Sequence, residues 1–170
     1  MTDQKGEGKY LTFAVGREEY GVEILRVKEI VGLLDITAVP MTTTHIRGVI
    51  NLRGKIIPVL DLRHKLGLPP TESAKENCIV IVSVAGRQGE SPVGLLVDSV
   101  NEVFKEADAQ KEPLPQVGEG KSLDFVKGLA KVKGRLVILL DVEKTILQEE
   151  LEGLEQLGKL ADSALSGKGN

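Results

Sequence analysis

The chain has 170 residues, a formal charge of −3 and only 3% aromatic residues, with no Trp. Its Lys and Arg are interspersed with Asp and Glu, so it lacks the basic block of a nucleic-acid footprint, and it has few rings on which single strands would stack. A composition that is 41% apolar and 28% charged is that of a globular protein, with length for one ordinary domain or two small ones.

Residues 1–8 read as a loose polar leader without an apolar signal core. No apolar run approaches the roughly 20 residues of a membrane span, so direct membrane insertion is not expected. Lys9 to Val15 alternates and is rich in strand formers. Gly16 to Glu19 is turn material, and Tyr20 to Ile24 completes a hairpin. Leu25 to Leu34 fits either period; its β-branched content favours a strand, with Val27, Glu29 and Val31 on one face and Arg26, Lys28 and Ile30 on the other. Ile36 to Val39 continues extended to Pro40, and Thr42 to Thr44 offer caps for a short turn of helix.

Ile46 to Leu62 is the organising stretch: two apolar runs joined at Arg53-Gly54, a hairpin with Arg53 at its tip and Asn51 beside it. Pro58 gives no ladder donor and is expected at an edge or bulge. Asp61 caps a short helix over Leu62 to Leu66, closed by Gly67 and Pro69-Pro70. Pro69 to Asn77 is polar and marks the best boundary. Cys78 to Ala85, Pro92 to Val97 and Val100 to Phe104 read as strands, and Ala107 to Ser122 as a surface loop. Val126 to Lys131 and Leu136 to Leu140 form another hairpin around Lys133-Gly134. Asp141 caps a final helix whose Ile146, Leu147, Leu151 and Leu154 recur at helical spacing.

The pattern repeats. A shift of 80 lays Gly48, Arg53, Gly54 and Asp61 on Gly128, Lys133, Gly134 and Asp141; a shift of 73 lays Gly21, Val27 and Glu29 on Gly94, Val100 and Glu102. Short strands closely spaced by turns argue for an all-β chain of two small barrels, about five strands each. Neither half has residues for a generous core, so the two are expected to share apolar surface. The first barrel is expected at about 13–70, the second at about 77–140 and the terminal helix at about 141–157, with flexible tails at 1–8 and 158–170.

Few groups suit bond chemistry. His45 and His64 are the only histidines and Cys78 the only cysteine, so no metal spacing exists and no disulfide forms within the chain. Ser83, Ser91 and Ser99 lack a nucleophile elbow. The glycines punctuate turns and make no phosphate loop. Asp61 and Asp141 sit in separate repeats and read as caps rather than a catalytic dyad. No cofactor or metal is expected. Binding is the better use of what is exposed: Arg53 is an anchor at a shaped tip, and Glu29 is a carboxylate in an apolar setting able to meet a partner's cation. Val27, Ile30 and Val100 are either core or the lining of a groove between barrels that takes a helix.

Tyr20 to Ile30 (YGVEILRVKEI), Ile36 to Pro40 (ITAVP) and Ile46 to Arg63 (IRGVINLRGKIIPVLDLR) resemble the CheW family of chemotaxis coupling proteins over about residues 9–155. The resemblance implies two SH3-like five-stranded barrels with short helices, and a non-enzymatic cytoplasmic adaptor recruited to membrane-associated receptor arrays. It implies as partners the regulatory domain of the histidine kinase CheA, the cytoplasmic tip of methyl-accepting chemoreceptors and other CheW-like domains in rings. Family interaction positions fall on Val27, Glu29, Gly48 and Arg53. The chain departs from the family at Met41, Thr43 and His45, where Asn-x-Pro-x-Phe is common. An output other than motility, a barrel that binds nucleic acid or oligosaccharide, and an enzyme with an unrecognised site are the competing readings.

Overall fold

The protein, in a computed structural model, is described at residues 8–32, 34–38, 45–68, 78–86, 89–114 and 125–146. Its strands are β1 (Lys9–Val15), β2 (Glu18–Glu23), β3 (Val27–Val31), β4 (Ile46–Leu52), β5 (Lys55–Asp61), β6 (Cys78–Gly86), β7 (Gly89–Val97), β8 (Ser99–Lys105), β9 (Gln110–Glu112), β10 (Val126–Val132) and β11 (Arg135–Leu140). Two one-turn helices, α1 (Leu62–Lys65) and α2 (Val142–Thr145), follow β5 and β11. The fold is all-β, two SH3-like subdomains built on a six-stranded sheet ordered β8-β1-β2-β11-β10-β9 and a five-stranded sheet ordered β3-β6-β7-β5-β4.

The repeats run in sequence; the sheets do not. The β1–β2 hairpin of the first repeat pairs with β8 and β11 of the second, and the β6–β7 hairpin of the second pairs with β3 and β5 of the first. A cut near residue 70 therefore separates the repeats but divides both sheets. The two parallel joints are equivalent: Leu139 lies opposite Gly21 and Val59 opposite Gly94.

The exchange creates three cores. Ala130, Val132, Val137 and Leu139 fill one subdomain with Tyr10 and Phe104, and Ile50, Ile57 and Val59 fill the other with Ile79 and Ile81. Between the sheets, Leu11, Phe13 and Tyr20 meet Leu60, Val80, Val82 and Leu95 in a shared core. Residues 79–84 of β6 are thereby buried on both faces, which is why this stretch, Ser83 apart, reads as an apolar run. Two ion pairs bridge the repeats at equivalent corners. Arg63 of α1 pairs with Asp98, which also accepts from the Gly16 N–H at 2.8 Å. Glu143 of α2 pairs with Arg26 at 2.5 Å and accepts from the Ala85 N–H at 3.2 Å. The corners match and the signs are reversed.

The caps read from sequence are present: Asp61 accepts from the His64 N–H at 3.2 Å and Asp141 from the Lys144 N–H at 3.1 Å. Other expectations need amendment. Pro58 lies inside β5, next to the register shift between Ile46 and Gly48 of β4; the parallel ladder to β7 begins one residue later at Val59, so its missing donor is not needed there. The expected loop from Ala107 contains β9, which pairs with β10 and makes that sheet six-stranded. The expected 86–91 turn is shorter, because β6 and β7 extend to Gly86 and Gly89. The 69–77 boundary, the Thr42–Thr44 cap and the terminal helix beyond residue 146 lie outside the described residues.

At Gly48 two segments of the chain cross closely. Thr37 exchanges backbone hydrogen bonds of 2.8 and 2.9 Å with Val49, and a Cβ built on Gly48 would lie 2.1 Å from the Thr37 carbonyl oxygen, at a φ of 152°. Its repeat equivalent Gly128 has nothing within 4 Å of such a Cβ. Gly48→Ala should therefore cost at least about 2 kcal/mol through overlap and backbone strain. Gly128→Ala should stay within about 0.5 kcal/mol. Denaturant melts of the two variants decide this, and equal losses would contradict it.

Candidate interaction site

The β4–β5 hairpin turns on two residues of positive φ, Arg53 at 52° and Gly54 at 86°, the pattern of a two-residue type I′ turn. Asn51 braces it by accepting from the Gly54 N–H at 2.9 Å. The Arg53 side chain reaches from this tip to β3 and grips Glu29 with both guanidinium arms, at 2.9 and 2.5 Å. Glu29, expected to await a partner's cation, already holds one from its own chain. The two hydrogen bonds, and then the nearby positive charge, keep the Glu29 carboxyl below its ordinary pKa. Arg53 remains mostly exposed, its side chain at 70%. Beneath the pair lies a cleft of about 370 Å³ lined by Ile57, Ile81 and Ser83, with Lys28, Lys55 and Glu90 also in its wall.

A bulge sets what β3 presents. The register to β6 slips between Val27 and Glu29, so Val27 lies opposite Val82 while Glu29 and Val31 lie opposite Ile81 and Ile79. Val82 and Val80 belong to the shared core, Ile81 and Ile79 to the subdomain core. Val27 and Ile30 therefore face the shared core, and Glu29 and Val31 the subdomain. The simple alternation expected from sequence, with Val27 beside Glu29, is broken by this one residue. Val27 packs on the shared core, and Ile30 is 43% exposed at its margin.

The second repeat rebuilds the arrangement. β8 is the edge strand of the other sheet and carries its own register shift opposite Leu11 and Phe13 of β1. There the buried Thr12 hydroxyl donates to the Glu102 carbonyl at 3.2 Å and accepts from the Glu102 N–H at 3.1 Å. Val100 packs on the shared core and Val103, 47% exposed, matches Ile30. Glu102 takes the place of Glu29, with Lys133 Nζ at 3.4 Å and Arg135 also bound to it. Arg135 in turn donates to Glu19 at 3.0 Å. Hydrogen bonds from Arg135 and then Lys133 hold the Glu102 carboxyl below its ordinary value.

The expected residues thus separate into groups. Asn51, Arg53 and Glu29 form one unit at the hairpin tip. Val27, Ile30 and Val100 lie on two edge strands that border the shared core. Gly48 is buried under Thr37 and presents no side chain. Glu102, Val103 and Lys133 were not singled out as site residues; the shift of 73 that pairs Val27 with Val100 also pairs Ile30 with Val103. The two histidines, 19 residues apart, have ring nitrogens 2.9 Å from each other, a meeting no local spacing announces.

The CheW-like domain family profile matches residues 9–150. The chain belongs to the CheW-like family. The chemotaxis protein CheW of Klebsiella aerogenes is 36% identical over 151 residues, 89% of each chain. The CheW protein of Thermotoga maritima is 34% identical over 148 residues, covering 86% of this chain and 92% of its own. The crystal structure of the scaffolding protein TtCheW from Thermoanaerobacter tengcongensis superposes with a TM-score of 0.70 at 35% identity, over 84% of this chain and 94% of that one. Membership accounts for the two SH3-like subdomains and gives the repeated tip a family context. Of the positions expected to depart from the family pattern, Met41 and Thr43 lie outside the described residues, and His45 immediately precedes β4.

The Arg53–Glu29 pair should be visible in titration. A carboxyl held low by a cation stays ionised below its ordinary range, so the pair contributes fully above the ordinary glutamate value and is lost as pH falls through the lowered folded-state value. Carboxyl NMR of Glu29 should show a lowered midpoint that rises to the ordinary glutamate range in Arg53→Ala. A midpoint indifferent to Arg53 would contradict the geometry.

Proposed function

We propose that this protein is a non-enzymatic adaptor of chemosensory arrays, coupling the cytoplasmic tips of methyl-accepting chemoreceptors to the regulatory domain of the histidine kinase CheA. The observation that carries the reading is its family membership together with its likeness, over most of both chains, to a scaffolding protein. The edge strands offer the receptor site: Val27 and Ile30 on β3 and Val100 on β8 are apolar positions at the border of the shared core, suited to the apolar face of a helix. The hairpin tip offers the kinase site, with Arg53 exposed, pre-oriented by Glu29 and braced by Asn51. The internal pair restrains the anchor before binding, which lowers the ordering cost of association.

β3 joins the two surfaces. It carries Val27 and Ile30 on one face and Glu29, the ligand of Arg53, on the other. A receptor helix seated on the first face would bias the Arg53 tip through a single strand, which is coupling between sites without chemistry in the adaptor. Among the described residues no helix is long and apolar enough to cross a membrane. On this reading the protein works in the cytoplasm and reaches the membrane through the receptors. Other CheW-like domains, which share the same two-barrel form, are further partners in rings.

Calorimetric titration with the CheA regulatory domain tests the tip. Wild-type protein should bind saturably, and Arg53→Ala should weaken binding at least about tenfold, roughly 1.4 kcal/mol, with an unchanged melt. The swapped variant Glu29→Arg/Arg53→Glu keeps the internal pair and should still bind weakly, because the sign of the exposed anchor is reversed. Wild-type affinity in Arg53→Ala, or no binding by the wild type, would overturn the assignment.

A further inference from the structure

His45, the residue before β4, and His64, in α1, carry their Nδ1 atoms 2.9 Å apart, with ring centroids at 5.0 Å and planes tilted by 58°. The backbone fixes both through one residue. The Asp61 N–H donates to the His45 carbonyl at 2.8 Å, and the Asp61 carboxylate accepts from the His64 N–H at 3.2 Å. Beside them Ile46 pairs with Leu60 in the ladder of the hairpin. The two rings thus converge from a strand and a capped helix turn held in register, the preorganisation a ligand pair requires.

The separation is that of a hydrogen bond between the rings, and it is also compatible with a close-set pair of ligands. Two imidazole nitrogens 2.9 Å apart, each about 2.05 Å from one ion, subtend roughly 90° at it, whereas a tetrahedral centre sets its nitrogens about 3.3 Å apart. A right angle is the cis angle of the tetragonal sites that Cu²⁺ and Ni²⁺ prefer.

We propose that His45 and His64 form a two-nitrogen chelate for a divalent transition-metal ion of cis-square geometry, Cu²⁺ above Ni²⁺, with water completing the shell. Ligation through both Nδ1 atoms places the remaining proton of each ring on Nε2, and the ion replaces the hydrogen bond between the rings. The Asp61 carboxylate lies beside the pair, and Arg47, 3.4 Å from it, balances its charge. Among the described residues no group of three or more His, Cys, Asp or Glu side chains is placed to hold a metal. The site is therefore an exchangeable two-donor chelate rather than a closed structural one. Its ion would staple the base of the β4–β5 hairpin to α1, at the opposite end from Arg53.

The test is titration of the full chain with Cu²⁺ alone, by calorimetry and by electron paramagnetic resonance, for the wild type, His45→Gln and His64→Gln. The wild type should take one ion with hyperfine structure from two imidazole nitrogens. Each variant should bind at least about tenfold more weakly, since loss of even an outer-sphere partner costs roughly 10–100-fold. Cu²⁺ should raise the melting temperature of the wild type and leave that of either variant unmoved. Wild-type affinity in His64→Gln, a spectrum of one nitrogen or none, or tighter binding of Zn²⁺ than of Cu²⁺ would each overturn the proposal. Should a variant fail to fold, the nitrogen count of the wild-type spectrum decides alone.

Discussion

Each repeat lends its first hairpin to the other's sheet, and the rest of the structure depends on that exchange. Without β6 and β7, β3 has no ladder partner and β5 has only β4; without β1 and β2, β8 is unpaired and β11 has only β10. Neither half could keep its sheet alone, so the fold is one cooperative unit despite its duplicated plan. The shared core between the sheets is the product: Phe13 and Tyr20 from one lent hairpin face Val82 and Leu95 from the other. The Arg63–Asp98 and Glu143–Arg26 pairs tie the corners where the exchanged segments enter. Both are only partly buried, so burial of the shared core carries more of the stability than they do.

The same exchange positions the candidate surfaces. It leaves β3 and β8 as edge strands of two different sheets, each bordering the shared core. Each carries a bulge that turns a glutamate away from the valine two residues before it. The glutamate then lies within reach of the next hairpin's tip, where Arg53 or Lys133 sits at positive φ before a glycine. One plan thus yields an apolar margin and a charged tip twice over. The copies differ in detail. Arg53 grips Glu29 alone through two bonds, whereas Glu102 shares Lys133 and Arg135, and Arg135 is also engaged by Glu19. The first tip is accordingly the simpler anchor to offer a partner.

Much of this was legible in the residues. Arg53-Gly54 and Lys133-Gly134 announced their turns, Asp61 and Asp141 their caps, and the shifts of 73 and 80 the duplication. The exchange was not legible, because a repeat in sequence is equally compatible with strands that pair within a repeat or across it. The bulge at β3 was missed for a related reason: alternation predicts faces only while the register holds, and register belongs to the partner strand. β9 was hidden because Gln110, Lys111 and Glu112 form an edge strand with little burial and so lack an apolar period. The Glu29–Arg53 bond joins residues 24 apart on different strands, and sequence gave each a role in isolation.

On the proposed reading, two separate surfaces joined by β3 hold two partners at once. The most direct measurement is calorimetric titration of a receptor-tip fragment into the preformed complex of this protein with the CheA regulatory domain, compared with titration into the protein alone. Saturable binding in both, with an affinity changed but not abolished by the kinase domain, is the expected result. Displacement of the kinase domain by the receptor fragment would contradict the account, because it would mean that the edge strands and the hairpin tip serve a single, shared site.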